Sequence, residues 1–197
     1  MIIVRHRINT IKELNKVPEQ YGVEIDVRGY ADKLILNHEP LRLGDELEEY
    51  LKHFHHRFIM FNIKEAGVEE KTIALAEKYN VQDYLLMDVE FDFIYKASRQ
   101  GFRKMAIRYS EEECLDTVLK YKEKIDWVWM NTFTKLPLDE GTVEQLQGFQ
   151  VGLVCPERWG RPHDIPVYIE RMKRLNFRPD LVMTAAPYVE LYEKSGL

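Results

Sequence analysis

Eight short apolar runs separated by charged amphipathic stretches set the tightest limit on how this chain folds. The runs are MIIVR, GVEIDV, RFIMFNI, DYLLMDVE, KMAIRY, IDWVWMN, QVGLVC and PDLVMTA. Rich in β-branched and aromatic residues, they read as strands. Between them, GDELEEYLKHF, VEEKTIALAEKYN, EEECLDTVLKYKEK, TVEQLQGF and IPVYIERMKRLN place apolar residues three and four apart, with acids and lysines on the opposite face. The final YVELYEKSGL reads as a closing helix.

Strands that alternate with helices pair in parallel through right-handed crossovers. Eight such units without a linker predict one domain over residues 1–197, a compact (β/α)8 TIM barrel. A doubly wound open sheet is the alternative, but no strand is followed by GxGxxG or GxxxxGK[ST], the glycine-rich loops that cradle nucleotide phosphates. After VEIDVR, the segment GYADKLILNHE interrupts the rhythm and predicts a short hairpin inserted after strand 2.

The formal net charge of −5 argues against a nucleic-acid partner bound by neutralising phosphates along a groove. Cys114 and Cys155 stand apart in the sequence and read as reduced thiols of a cytoplasmic protein. No segment approaches the ~20 apolar residues of a membrane span. The oligomeric state stays open.

Within GVEIDVR, Glu24 and Asp26 alternate with Val23, Ile25 and Val27, so both carboxylates share one strand face. In a barrel that face points inward near the C-terminal end of the strand, where barrel enzymes keep their chemistry. Two adjacent, partly desolvated acids push one pKa up unless a cation holds them, and an oxygen-rich cluster suits Mg²⁺ or Ca²⁺. The plain alternative is an edge strand with its acids in solvent. Polar pairs also end the next two strands, Asn62 with Lys64 and Asp88 with Glu90. Arg108 on strand 5, Trp129 near the end of strand 6 and Arg158 after strand 7 are further candidates for lining a pocket. The HFHH segment, His53 to His56, reads as a solvated turn at the opposite end of the barrel.

The run HRINT…GVEIDVRGYADKLILNHEPLR resembles the N-terminal signature of the glycerophosphodiester phosphodiesterase family, within the phosphatidylinositol-phospholipase-C-like superfamily of barrel phosphodiesterases. His6-Arg7, Asn9-Thr10, Glu24-Ile25-Asp26-Val27, Asp32 and His38-Glu39 match that pattern in order, Asn62-Ile63-Lys64 falls on its Glu-x-Lys, and Thr184-Ala185-Ala186-Pro187 loosely on its closing Thr-Asp-x-Pro. The resemblance implies metal-dependent hydrolysis of a glycerophosphodiester or related small phosphodiester. It makes His6 and His38 acid and base, Arg7 and Lys64 the phosphate ligands, and Glu24, Asp26 and Asn62 the metal ligands. Departures are Ile8 for the usual glycine, Glu39 for Asp, Asn62 for the third acid, and a much shortened insertion after strand 2. Asp88 or Glu90 is a candidate substitute for that acid. The alternative is a weakened or inactive barrel that binds a phosphorylated ligand.

Overall fold

The structure, a computed structural model, describes all of Met1–Leu197. Its chain divides into two compact units, Val4–Ala97 and Met1–Ile3 with Ser98–Leu197.

The first unit is built on β2 (Gly22–Tyr30). The end of β1 (Ile2–Arg5) runs parallel to its start, Val4 opposite Gly22, and β5 (Phe58–Ile63) runs parallel along its length. β6 (Tyr84–Met87) adds to β5 in parallel. Every residue of β5 and β6 is buried, as strands covered on both faces require. Ile25, Val23, Val27, Ile59 and Leu85 fill the core with the helices α1 (Ile11–Leu14), α2 (Leu47–Lys52) and α3 (Glu69–Lys78) contributing Leu14, Leu47, Tyr50 and Ala76. α3 ends where Asn80 takes a left-handed conformation (φ 54°) and the amide of Val81 reaches back to the Ala76 carbonyl, a Schellman closure.

Beyond Val27, β2 turns from pairing with β5 to pairing with β3 (Lys33–Leu36), antiparallel, with Val27 opposite Leu36. This is the expected inserted hairpin. A further short strand, β4 (Asp45–Glu46), pairs antiparallel with β3, so α2 starts three residues later than the amphipathic pattern implies. Local pairing with Ile35 and Leu36 outcompetes the helix there, and the Asp45 carboxylate accepts the Ile11 amide at 2.7 Å. One helix escapes the sequence reading altogether, α4 (Phe91–Arg99). Its inner face carries Ile94 and Ala97, but Phe91 and Tyr95 are half exposed, and aromatic residues on the solvent side blur the helical period.

The second unit holds β7 (Ala106–Tyr109), β8 (Trp127–Met130), β9 (Gln150–Val154) and β10 (Leu181–Thr184), each parallel to the next. α5 (Leu115–Leu119), α6 (Glu140–Gln145), α7 (Ile165–Arg174) and α8 (Val189–Glu193) alternate with them or follow them. The amide of Ile2 on β1 donates to the Asp180 carbonyl beside β10. By hydrogen bonding the ten strands form one sheet in a mixed α/β fold. No helix is long and apolar enough to cross a membrane.

Gly44, just before β4, shows how closely the inserted segment is folded back. A Cβ at that position would lie 2.0 Å from the Leu36 carbonyl oxygen. Because that neighbour is backbone, Gly44→Ala is expected to destabilise the fold by about 1–3 kcal/mol, the usual cost of overpacking. A thermal melt of the variant that superimposes on the wild type contradicts this packing.

Candidate active site

The two acids at the centre of the sequence reading are fully buried on β2. Each is held by donors from two short segments, the loop after β1 and the end of β5. Glu24 Oε2 accepts the backbone amide of Arg7 at 2.7 Å, and Glu24 Oε1 accepts the Asn62 side-chain amide at 2.8 Å. Imidazole Nε2 of His6 lies 3.8 Å from Glu24 Oε2. Asp26 Oδ2 accepts the Asn9 amide at 2.8 Å, while the Asp26 backbone amide donates to Asn9 Oδ1, also at 2.8 Å. The Lys64 ammonium stands 3.0 Å from Asp26 Oδ1, and Arg7 Nε 4.0 Å from Asp26 Oδ2.

Local structure explains why these groups converge. In the parallel register of β2 and β5, Asp26 faces Asn62, so the polar end of each strand meets the other. Thr10 caps α1 by accepting the Glu13 amide, which fixes the chain immediately after Asn9. Arg7 occupies the left-handed region (φ 54°), uncommon for a side chain of its size, and its amide is the one that donates to Glu24. A backbone outlier at this point is local strain held by its surroundings, a pattern that concentrates at functional sites.

His38 sits at the start of the loop after β3, with its carbonyl held by Arg28 Nη2 at 2.9 Å and its Nδ1 2.7 Å from Glu39 Oε1. The amide of the preceding Asn37 donates to the Asp26 carbonyl at 3.0 Å, which joins the His38 segment to the acid-bearing strand.

Burial pushes the Glu24 carboxyl up to about 7, and the neighbouring Asp26 charge adds to the effect. The Asn62 amide, the Arg7 backbone N–H and the Lys64 charge oppose it. The cluster therefore gathers two acids, two cations and an imidazole with little water, and one acid holds or releases a proton near neutrality.

Two buried oxygens here accept no hydrogen bond, Asn62 Oδ1 and Asp26 Oδ1. The Lys64 contact with Asp26 Oδ1 is of ion-pair distance without hydrogen-bond alignment. An all-oxygen set of two buried carboxylates and a spare amide oxygen fits a hard divalent cation such as Mg²⁺ or Ca²⁺. No three His, Cys, Asp or Glu side chains converge in a group that could hold a metal. Glu90 is exposed, and its backbone carbonyl accepts the first amides of α4.

The remaining candidates belong to the second unit. Arg108 pairs with Glu113 at 2.5 Å and lies 5.9 Å over the Phe133 ring. Trp129 is buried against Gly152, where a Cβ would be 2.8 Å from the indole, so it fills core rather than walling an open pocket. Arg158 lies in a short 3-10 turn after β9. A cavity of about 610 Å³ in that unit is lined by Tyr109, Cys114, Lys135, Asp139 and Arg171 among others, and by none of the candidate residues. The HFHH segment is only partly a solvated turn, since His56 is buried with Nε2 2.8 Å from the Val17 carbonyl. The sequence reading gave Asn9 no role. Its signal was there, because an Asn directly before a helix cap is free to turn its amide onto a neighbouring strand.

No protein-family model matches the sequence, and no curated protein matches it either. Solved structures do. A glycerophosphodiester phosphodiesterase from Agrobacterium tumefaciens superimposes with a TM-score of 0.69 over 100% of both chains, at 16% identity. A glycerophosphoryl diester phosphodiesterase from Parabacteroides distasonis gives 0.57 at 12% identity, covering 92% of this chain and 81% of that one. The chain has the fold of the glycerophosphodiester phosphodiesterases. The alignment to the Agrobacterium enzyme runs end to end, so the likeness includes the middle of the chain, where the sequence shows only alternating strands and helices.

Because the Glu24 carboxyl titrates higher in the folded chain than when exposed, the folded state holds the extra proton between the two values. In metal-free protein, stability contributed by that proton is present at acid pH and is lost as pH rises toward about 7. Glu24→Gln is expected to flatten this dependence in thermal melts from pH 5 to 8. A separate titration checks the ligand set. Asn62→Glu restores a negative charge beside Asp26 and is expected to tighten Mg²⁺ or Ca²⁺ binding by about tenfold or more, in line with the 10–100-fold usually lost with a metal-site partner. Equal affinities for the two proteins by calorimetry exclude Asn62 from the site.

Proposed function

We propose that the chain is a phosphodiesterase of the glycerophosphodiester class, its sheet closed as one (β/α)8 barrel domain, and that it hydrolyses a small phosphodiester at the Glu24–Asp26 cluster. The observation that carries this reading is the buried acid pair flanked by His6, Arg7 and Lys64, on a fold shared over its full length with a glycerophosphodiester phosphodiesterase.

In this reading Arg7 and Lys64 turn from Asp26 to the phosphate, where their charges bind the non-bridging oxygens and offset the charge that develops on them. One imidazole of the pair His6 and His38 takes a proton from water as its oxygen bonds to phosphorus. The other gives a proton to the alkoxide as the second phosphorus–oxygen bond breaks. A phosphate monoester and a free alcohol leave. Glu39, at 2.7 Å from His38 Nδ1, sets the tautomer of that ring and leaves Nε2 for the proton exchange. Glu24 holds the Arg7 turn, and with it His6, in place through the Arg7 amide. Glu24, Asp26 and Asn62 would hold a divalent cation, whose contribution when bound is to polarise the phosphoryl oxygen.

Hydrolysis of glycerophosphocholine with Mg²⁺, Ca²⁺ or Mn²⁺ supplied is the test. His6→Ala and His38→Ala are each expected to lower kcat by about 10²–10⁴-fold, the range of a lost general acid or base, with melting temperatures unchanged. A wild type that turns over no phosphodiester with any of these ions, yet binds glycerol 3-phosphate, is instead a phosphate-binding barrel, the reading that the neutral Asn62 favours.

A further inference from the structure

We infer that Arg28 is a positioning residue for His38, gripping the loop that carries the imidazole, and that Glu65 anchors the grip. The inference rests on His38 acting in the proposed hydrolysis.

Arg28 follows Glu24 and Asp26 at the same spacing of two along β2. Its side chain is only 14% exposed, so the cation must be satisfied by protein groups. Nε donates to the Asn37 carbonyl at 3.1 Å and Nη2 to the His38 carbonyl at 2.9 Å. Its third nitrogen, Nη1, lies 3.7 Å from Glu65 Oε2. Glu65 in turn accepts the Gly29 amide on Oε1 at 2.5 Å, so the carboxylate bridges the Arg28 fork and the strand that bears it.

The grip matters because of where His38 lies. The His38 side chain is 36% exposed and pairs with the adjacent Glu39, whose side chain is itself 67% exposed. That pair sets the ring's tautomer but cannot fix its place relative to β2. Backbone contacts do. The Asn37 amide holds the Asp26 carbonyl, the Asn37 side chain takes the Leu43 carbonyl and the Glu39 amide, and Arg28 closes the segment by holding two successive carbonyls. Two carbonyls one residue apart suit a planar fork. A lysine, with a single compact ammonium, keeps the charge but lacks the fork that holds both at fixed spacing.

Glycerophosphocholine turnover and hydrogen exchange of the 37–44 loop amides, measured on wild type, Arg28→Lys, Arg28→Met and Glu65→Gln, test the inference. Arg28→Met is expected to lower kcat by on the order of 10²-fold, as misplacement of a reacting group does, with KM little changed and partial recovery in millimolar guanidinium. Arg28→Lys recovers little, Glu65→Gln falls between, and loop exchange rises in the same order as kcat falls. Unchanged kcat and unchanged loop exchange in Arg28→Met overturn the inference, as does a kcat loss that guanidinium does not relieve while exchange stays at the wild-type rate. Loop exchange is read even if the wild type hydrolyses nothing. In that case faster exchange in Arg28→Met supports the grip while the proposed hydrolysis fails, and unchanged exchange overturns both. If Arg28→Met does not fold, Arg28→Lys decides by the same two measurements.

Discussion

Placing two carboxylates side by side on one strand, both fully out of water, is the condition that the rest of the candidate site answers to. An isolated buried carboxylate is too costly to keep ionised, and a second one beside it raises the cost. The chain meets that cost with short hydrogen bonds from the Arg7 amide and the Asn62 and Asn9 side chains, and with the charge of the Lys64 ammonium. The left-handed turn at Arg7, the cap at Thr10 and the register of β5 on β2 position these donors against Glu24 and Asp26.

Lys64 and Arg7, the cations that lie against Asp26, are the groups that the proposed hydrolysis turns to the phosphate, so in that reading the metal-free cluster is internally paired and exchanges partners when substrate binds. Asn62 changes the balance. It contributes a neutral amide whose N–H side holds Glu24 and whose oxygen is spare, where the family pattern that the sequence resembles carries an acid. One negative charge fewer leaves Lys64 and Arg7 with more of their charge unspent, which favours an anionic ligand and weakens the hold on a cation.

The inserted hairpin shows a second division of labour. β3 and β4 lengthen the sheet beside β2, and their pairing brings Asn37 to the level of Asp26. The segment that carries His38, twelve residues beyond Asp26, is thereby tied to the acid-bearing strand. The loop has few apolar contacts, and Leu41 and Leu43 are largely exposed, so polar contacts must hold it. Arg28 and Asn37 supply them.

Sequence alone determined the alternating strands and helices, the hairpin, and the identity of the acid pair, because period-2 and period-3.6 patterns and a strand face are properties of neighbours in the chain. Glu24 and Asp26 were legible as one face of β2, and His6, Arg7, Asn62 and Lys64 as residues at or just beyond a strand end. The tertiary structure decided what no local pattern encodes. It turned Asn62 so that its amide donates to Glu24, set Asn9 on Asp26, buried Trp129 against Gly152, and used Arg28 to hold backbone nine and ten residues away. Side-chain periodicity reports which face a residue occupies. Which partner it finds there depends on the register between strands far apart in sequence, and that is fixed only when the sheet assembles.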